Sequence, residues 1–402
     1  MKRYKVLLKV FALVSAVLFF GSSPGYGDDV PGVTSDIVKI GIVIDMSGPA
    51  AFYGQQATTA TRTLFKHLNE QGGIHGRKLK AFIEDNQYDP VRTIAGAKYL
   101  VSRHNVFALV NVLGSTPIVA LFPFIKEHKI PTLPGINECA QVFNPPKRYL
   151  FHATTPIYDQ ALFIVEYIIK DLKARDPKLA IIYQEDNWGK DGLKGFRKAA
   201  KYYGLNIVAE KSYKRRATDF SSQVVGLKRA SPDYVYNAGV HAAGVLKEAR
   251  KLGLQTQFIG DSGNLGKTIK LGGSAVRGFM LTYSRALATE DSVGVNRVKE
   301  ISKRYKVGIK IAPEYLWGWL NCMVLVEGLR KSGRNLTREG YIDALETIKG
   351  YDPWGLTAPV TYGPISSGPK SRRGISGFRV LKADVDKGHF FPITGWREPS
   401  IE

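Results

Sequence analysis

Few residues of this chain stand at spacings that could perform covalent chemistry. Residues 261–268 read DSGNLGKT and approach a phosphate-binding loop, but that loop requires glycine where Asp261 stands, because backbone amides must come close to the phosphates. No G-x-S-x-G motif follows a predicted strand, and H-E-x-x-H does not occur in the sequence. We therefore predict that the protein is not an enzyme and uses no metal and no cofactor. A catalytic triad assembled in space rather than in sequence stays an open alternative.

The remaining reactive side chains have simpler structural interpretations. The seven histidines are dispersed along the chain, which favours structural roles over metal binding. Asp85 and Asp89 flank a turn, where helix capping is the expected role rather than acid–base catalysis. Cys139 stands in a loop-like stretch and Cys322 in an apolar helical pattern, so we predict two free thiols. A disulfide between them stays open.

A binding site requires elements that position it, and the first such elements lie in residues 38–54, VKIGIVIDMSGPAAFYG. The apolar, β-branched run at 38–44 predicts a strand buried on both faces, as in a parallel sheet. A turn at 47–49 leads into a helix predicted over 55–70. Because ligands bind at the carboxyl ends of parallel strands, we expect a site along 46–53. A plain strand-to-helix turn is the structural alternative.

Strand and helix patterns alternate through most of the chain. Such alternation predicts an α/β fold with parallel sheets covered by helices on both faces, and the length predicts two domains. The predicted strands cover 38–44, 77–84, 106–111, 130–133, 149–153, 179–183, 206–209, 234–237, 258–260 and 278–283, with a final hairpin at 377–392. The predicted helices cover 55–70, 89–103, 117–128, 157–173, 188–203, 220–229, 242–252, 313–331 and 337–348.

Residues 1–27 are predicted to be a cleaved secretory signal peptide. A basic start precedes an apolar run over 6–20, and Gly25-Tyr26-Gly27 supplies a small-x-small cleavage site. No cysteine follows the apolar run, so we expect no lipid anchor, and no later run is long enough to span a bilayer. The mature protein is therefore expected in the periplasm.

The charge of the chain is strongly positive but dispersed. The formal net charge is +22, and residues 1–27 contribute four of these positive charges, which leaves +18. The densest basic groups, 214–216 and 370–373, lack the interleaved aromatic residues of a nucleic-acid platform. We therefore expect no nucleic-acid partner. Attraction to anionic ligands or envelope components stays open.

Several segments occur in an order that resembles the branched-chain amino-acid type of periplasmic binding protein. They are KIGIVIDMSGPAAFYGQQ, LNEQGGIHGRKLKAFIEDNQYDP, PDYVYNAG, ARKLGLQTQFIGDSG and WGWLNCMVLVEGL. The resemblance covers nearly the whole chain after residue 27, and the ordered set is specific where no single segment would be. Members of this family are the solute receptors of ABC importers and have the type I fold.

The resemblance implies two doubly wound parallel-sheet lobes, joined by a three-segment hinge, that close over a ligand in the manner of a Venus flytrap. The chain would cross between the lobes near residues 153–156, 283–285 and 376–378. The lobes would then comprise 28–153 with 284–376, and 154–283 with 377–402. An inner-membrane ABC permease complex would read the closed form, and the receptor is expected to be a monomer.

The resemblance also implies polar site residues on the first lobe. Ser115, in GSTP after the third predicted strand, corresponds to the carboxylate-binding serine of the family. A helix N-cap role is the alternative for this serine, and both roles use the same geometry. Gly135, Ile136 and Asn137 correspond to a loop that supplies backbone groups and a threonine hydroxyl, with Asn137 in place of the threonine.

Three aromatic residues match family positions that line the cleft. Tyr53 and Trp188 correspond to aromatic residues of the first and second lobes, and Trp319 falls near a further wall position. Core packing is the alternative for each of them. The match in position favours a cleft role for Tyr53 and Trp188.

Two positions depart from the family and change the expected ligand. Val240 replaces a tyrosine, and Ser262 replaces the glutamate that binds the ligand's α-ammonium, with Asp261 adjacent. We therefore expect a small carboxylate or amide-bearing solute, including aromatic ones, in preference to leucine, isoleucine or valine. An ordinary amino acid remains the alternative if Asp261 or Glu185 turns inward.

The expected function is that of an exported solute receptor for an ABC importer. A sensory module that signals to a membrane receptor shares the fold and is the alternative from another class. An exported hydrolase on the same fold is a third, and the missing nucleophile motifs argue against it.

Overall fold

The apolar run near the start of the chain forms a central strand of a four-stranded parallel sheet. In the computed structural model, which describes residues 30–401, the strand order of this sheet is β2-β1-β3-β4. From Ile40 onward every residue of β1 is buried, as expected for a strand covered on both faces. The four strands are β1 (Ile37–Ile44), β2 (Lys78–Asp85), β3 (Ala108–Val110) and β4 (Thr132–Leu133). The predicted signal peptide, residues 1–27, lies outside the described residues.

A second sheet contains seven strands in the order β11-β10-β9-β8-β7-β5-β6. Its first five strands in sequence pair in parallel, and the last two form an antiparallel hairpin on β9. The strands are β5 (Leu179–Gln184), β6 (Ile207–Tyr213), β7 (Tyr234–Ala238), β8 (Gln257–Gly260), β9 (Met280–Tyr283), β10 (Arg379–Asp384) and β11 (His389–Pro392). The predicted α/β fold with two parallel sheets is confirmed.

Helices connect the strands and cover the sheets. They are α1 (Ala51–Glu70), α2 (Pro90–His104), α3 (Ser115–Ala120), α4 (Phe122–Glu127), α5 (Ala140–Phe143), α6 (Ile157–Lys170), α7 (Asn187–Tyr202), α8 (Ser221–Ala230), α9 (Ala242–Lys251), α10 (Thr268–Gly272), α11 (Val293–Arg304), α12 (Pro313–Lys331) and α13 (Arg338–Glu346). No helix among residues 30–401 combines the length and the apolar character needed to cross a membrane.

Two predicted elements differ from the structure, and the helices α5, α10 and α11 were not predicted. The helix predicted at 117–128 is divided at Leu121, because Pro123 has no N–H to continue the hydrogen-bond ladder. The strand predicted at 149–153 is absent, and Leu150 makes only an isolated bridge to Thr132. Helix α11 was not predicted, since glycine and β-branched residues weaken its pattern, although Ser292 caps its first turn.

Each of the two sheets has its own hydrophobic core. Apolar clusters around the first sheet draw on residues 38–153 and 286–375, whereas those around the second draw on 161–287 and 378–401. The predicted lobe boundaries lie near these changes of core membership and stay a prediction. Cys139 and Cys322 are both buried and unpaired, which confirms the predicted free thiols.

Two carboxylates shape the loop that follows β1. Asp45, fully buried, accepts hydrogen bonds from the backbone N–H of Ala50 at 2.7 Å and of Gly48. Asp85 accepts from the backbone N–H of Met46 at 2.9 Å, so it fixes this loop rather than capping a helix. Asp89 is the residue that caps α2, as predicted. The loop is therefore held in one conformation beside the carboxyl end of β1.

Candidate functional site

A cavity of about 830 Å³ lies where the carboxyl ends of the two sheets meet. Its lining segments follow each of the strands β1 to β9, and the first turn of α12 completes it. We call the lining residues from segments 49–141 and 313–317 the first wall, and those from segment 184–266 the second wall. This is the position at which parallel α/β sheets bind ligands. A smaller groove of about 600 Å³ on the outside of the first sheet, beside α1 and β2, contains none of the predicted site residues.

The structure brings most of the predicted site residues together at this cavity. Seven of the ten border it: Tyr53, Ser115, Ile136, Asn137, Trp188, Val240 and Ser262. Three do not: Gly135, Asp261 and Trp319. Ligand binding by the seven stays a prediction, and the other three have different structural roles.

Ser115 presents a free hydroxyl to the cavity. It is the first residue of α3, and the N-cap position before it is Gly114, which has φ 95° and makes no side-chain cap. A Cβ at Gly114 would lie 2.7 Å from the Tyr88 ring, so glycine allows the close approach of this ring. Among residues 30–401 the Ser115 hydroxyl forms no hydrogen bond, and the alternative that it caps the helix is wrong.

Asn137 provides an amide in place of the family threonine. Its side chain is buried, and Nδ2 donates to the carbonyl oxygen of Gly135 at 2.7 Å. Its Oδ1 is buried without a hydrogen-bond partner in the described part of the chain. Gly135 itself does not border the cavity, because it packs against Trp317. A Cβ there would lie 2.2 Å from the Trp317 ring, so glycine is needed for this packing.

The tryptophan of α12 that borders the cavity is Trp317, not Trp319. Trp319 is fully buried, with its ring centroid 6.1 Å from that of Tyr315 and 6.2 Å from that of Trp354. Residues two apart on an α-helix are rotated by about 200°, so only one of the two can face the cavity. Because nearly every residue of α12 from Tyr315 onward is buried, its apolar pattern does not reveal the facing side.

Asp261 lies behind the second wall and supports it. Its buried carboxylate accepts hydrogen bonds from Nε1 of Trp188 at 3.3 Å and from the backbone N–H of Gly263 at 2.9 Å. Burial raises the pKa of Asp261 to about 8. Glu185, the other proposed counter-charge, forms an ion pair with Lys214 at 2.5 Å. Asp261 therefore does not border the cavity, whereas Glu185 borders it while paired with Lys214.

Ser262 instead contacts a carboxylate that the sequence did not reveal. Its Oγ donates to Oε2 of Glu138 at 2.7 Å, and Glu138 also pairs with Arg285 at 3.0 Å. Both charged residues border the cavity, although Glu138 is fully buried and only 4% of the Arg285 side chain is exposed. Glu138 and Arg285 are 147 positions apart in the sequence, so no local sequence pattern indicates that they pair.

The further lining residues that were missed include Tyr88, Tyr283, Glu314 and Trp317. Glu314 is the second residue of α12, its Oε2 is buried without a partner among residues 30–401, and burial raises its pKa. A proline followed by glutamate at a predicted helix start could have drawn attention to it. No group of three histidine, cysteine or acidic residues that could hold a metal occurs within the described chain.

Comparison with known proteins places this arrangement in a family. The sequence profile described as "Periplasmic binding protein" matches residues 37–389. The Leu/Ile/Val/Thr-binding protein of Salmonella typhimurium is 27% identical over 273 residues, which cover 66% of this chain and 74% of that protein. The Leu/Ile/Val-binding protein of Escherichia coli K12 is 26% identical over 270 residues, which cover 65% and 73%.

Solved structures show the same fold. The fatty acid ABC transporter substrate-binding protein from Thermomonospora curvata superposes with a TM-score of 0.77 at 25% identity, covering 93% of this chain and 95% of that one. A branched chain amino acid ABC transporter structure from Thermus thermophilus with bound valine also has a TM-score of 0.77, at 24% identity, covering 92% and 98%.

Proposed function

The chain belongs to the periplasmic binding protein family, whose members are solute-binding proteins and not enzymes, and we propose that it is the exported receptor of an ABC importer. The observation that carries this proposal is the cavity, which collects the loops after nine strands of two separate sheets. Such a site can enclose a small solute when the two bodies that carry it close toward each other. The receptor would act in the periplasm as a monomer and deliver the solute to a permease complex.

The proposed ligand is a small carboxylate or amide-bearing solute, including aromatic ones. Unpaired polar atoms on the first wall support it, namely Oγ of Ser115 and Oδ1 of Asn137. Aromatic rings from Tyr53, Trp188 and Trp317 border the same space and suit an apolar body. The relatives are named for amino acids and for fatty acids, which share a carboxylate and an apolar body.

Closure of the two bodies is the test of the receptor proposal. Mass spectrometry of denatured protein first identifies the solute that co-purifies. Adding that solute back to stripped protein at a hundredfold excess over Kd should raise the free energy of unfolding by about 2.7 kcal/mol and reduce the radius of gyration in small-angle scattering. Bound solute with an unchanged radius of gyration would contradict closure.

Export and delivery need separate measurements. Amino-terminal sequencing of the protein from a periplasmic extract should begin at Asp28 if residues 1–27 are removed. The solute-loaded receptor should stimulate ATP hydrolysis by the reconstituted importer, whereas solute without receptor should not. Stimulation of a sensor kinase instead of an importer would favour the sensory alternative.

A further inference from the structure

A buried ion pair borders the cavity between the two sheets. Glu138 follows β4 of the first sheet, and Arg285 follows β9 of the second. Nη2 of Arg285 lies 3.0 Å from Oε1 of Glu138, and both side chains are almost completely removed from solvent. The two charges compensate each other, so this end of the cavity is close to neutral.

The carboxylate of the pair has no acceptor capacity left for a ligand. Oε1 accepts from Arg285 and from Oγ1 of Thr154 at 3.1 Å, and Oε2 accepts from Nε2 of Gln160 at 2.9 Å and from Oγ of Ser262 at 2.7 Å. A carboxylate offers about four acceptor sites, and all four are occupied here. A ligand ammonium placed beside Glu138 would therefore lack the hydrogen bonds that a buried cation requires.

The guanidinium of Arg285, by contrast, has hydrogen-bond donors that are not used. Arg285 has five N–H donors, yet Nε and Nη1 are buried without a hydrogen-bond partner among residues 30–401. Buried donors without acceptors are unfavourable, so an oxygen atom supplied by a ligand would stabilise this site. A second ligand carboxylate would bring a net negative charge beside Glu138, whereas an uncharged oxygen adds no charge.

We propose that Arg285, compensated by Glu138, recognises an uncharged oxygen of the ligand, and that the ligand is an oxo or hydroxy carboxylic acid rather than an amino acid. The carboxylate of such a ligand would bind at the first wall near Ser115, and its carbonyl or hydroxyl oxygen would accept from Arg285. This inference rests on the proposed receptor function and names its substrate class.

Glu314 is the carboxyl group that could reverse this specificity. It borders the cavity from the first wall, and its Oε2 has no partner within the described chain. As an ionised group it would accept from an ammonium; burial raises the pKa of Glu314, while the nearby Arg285 guanidinium acts to lower it. A Glu314 variant therefore tests whether this group, rather than Arg285, sets the preference.

The first experiment compares ligands that share one skeleton. Protein stripped of solute is titrated by calorimetry with phenylpyruvate, phenyllactate, phenylalanine and phenylpropanoate, and then with the corresponding series on the leucine skeleton. We expect an oxo or hydroxy acid to bind at least about tenfold more tightly than both the amino acid and the unsubstituted acid. Tightest binding of an amino acid, equal binding of an unsubstituted acid, or no binding in either series would overturn the inference.

These outcomes are separate from the receptor function. If closure with the co-purified solute succeeds but the acids fail, the receptor proposal stands and the substrate class is wrong. If the co-purified solute is bound without closure, the receptor proposal fails whatever the acids show.

The second experiment assigns the discrimination to Arg285. Arg285→Gln removes the cation and should shift the ratio of affinities, oxo acid over amino acid, by at least about tenfold toward the amino acid. Glu138→Gln leaves Arg285 uncompensated and should shift the ratio the other way, which keeps the test decisive if one variant does not fold. Circular dichroism and urea unfolding confirm that each tested variant is folded.

Glu346→Gln is the matched control. It removes the carboxylate that pairs with the buried Arg372, and neither of these residues borders the cavity. The ratio of affinities should stay unchanged in this variant. An equal shift in the control, or loss of the preference in Glu314→Gln but not in Arg285→Gln, would overturn the assignment to Arg285.

Discussion

The two walls of the cavity differ in how their polar groups are used. On the first wall, Oγ of Ser115, Oδ1 of Asn137 and Oε2 of Glu314 have no hydrogen-bond partner in the described chain. On the second wall, Trp188 donates to Asp261 and Glu185 pairs with Lys214. Within the described chain the first wall therefore has more unpaired polar atoms than the second, where Oε1 of Gln184 is also buried without a partner. The ring of Trp188 on the second wall is held by Asp261 before any ligand binds.

The largest expected effect concerns Asp261, which holds the ring of Trp188 on the second wall. The pKa of Asp261 is 3.8 in the unfolded chain and about 8 in the buried native site. As the pH rises between these values, the unfolded state loses a proton that the native state keeps. The free energy of unfolding should therefore fall by at most about 1.4 kcal/mol per pH unit between about pH 4 and pH 8. Above about pH 8 the titration of Asp261 should change it no further.

Asp261→Asn removes this contribution while keeping an acceptor for Trp188. Urea unfolding of both proteins from pH 4 to pH 9 should give curves of stability against pH that diverge in slope. Tryptophan emission recorded in the same titration reports the environment of the indole. Parallel curves would contradict the assignment of a buried, protonated Asp261 and would weaken the contrast between the walls.

An intermediate effect separates the roles of Trp188, for which the family position favoured the cleft, and Trp319. Trp319→Phe should lower the free energy of unfolding by about 1–3 kcal/mol, since it leaves a void in the core, and should leave ligand affinity unchanged. Trp188→Phe should weaken ligand binding by about 1–2 kcal/mol, because the ring borders the cavity. It should also lower the free energy of unfolding by about 1 kcal/mol, because Asp261 loses the hydrogen bond from Nε1. Calorimetry and urea unfolding measure the two quantities. Weaker ligand binding in Trp319→Phe, with unchanged affinity in Trp188→Phe, would return Trp319 to the binding site.

An effect of similar size is expected on the first wall. Ser115→Ala should weaken binding of the carboxylate ligand by about 1–3 kcal/mol, because a charge-assisted hydrogen bond is lost. The free energy of unfolding should change by less than about 0.5 kcal/mol, since the hydroxyl caps no helix. Ser102→Ala, an exposed serine of α2 that does not border the cavity, is the control for loss of a hydroxyl. Wild-type affinity in Ser115→Ala would remove the serine from the binding site.

Most of the fold was predictable from local patterns. Buried strands such as β1 and β5 are short apolar runs, and helices such as α2 begin at a recognisable cap. The carboxyl end of β1 was expected to carry a site, and the family resemblance named ten residues, of which seven border the cavity. Strand β1 and the cap at Asp89 depend on contacts within a few residues, which is why sequence periodicity and composition predict them.

The sequence by itself determined where strands end, because apolar periodicity and turn-forming residues are local features, and the family resemblance indicated which loops meet. Tertiary structure alone decided that Trp317 rather than Trp319 faces the cavity, that Asp261 lies behind Ser262, and that Glu138 pairs with Arg285. Each of these depends on the rotation of a helix that is buried on all sides or on how two sheets pack together. Such rotations and contacts arise from the whole molecule, so no spacing along the chain records them.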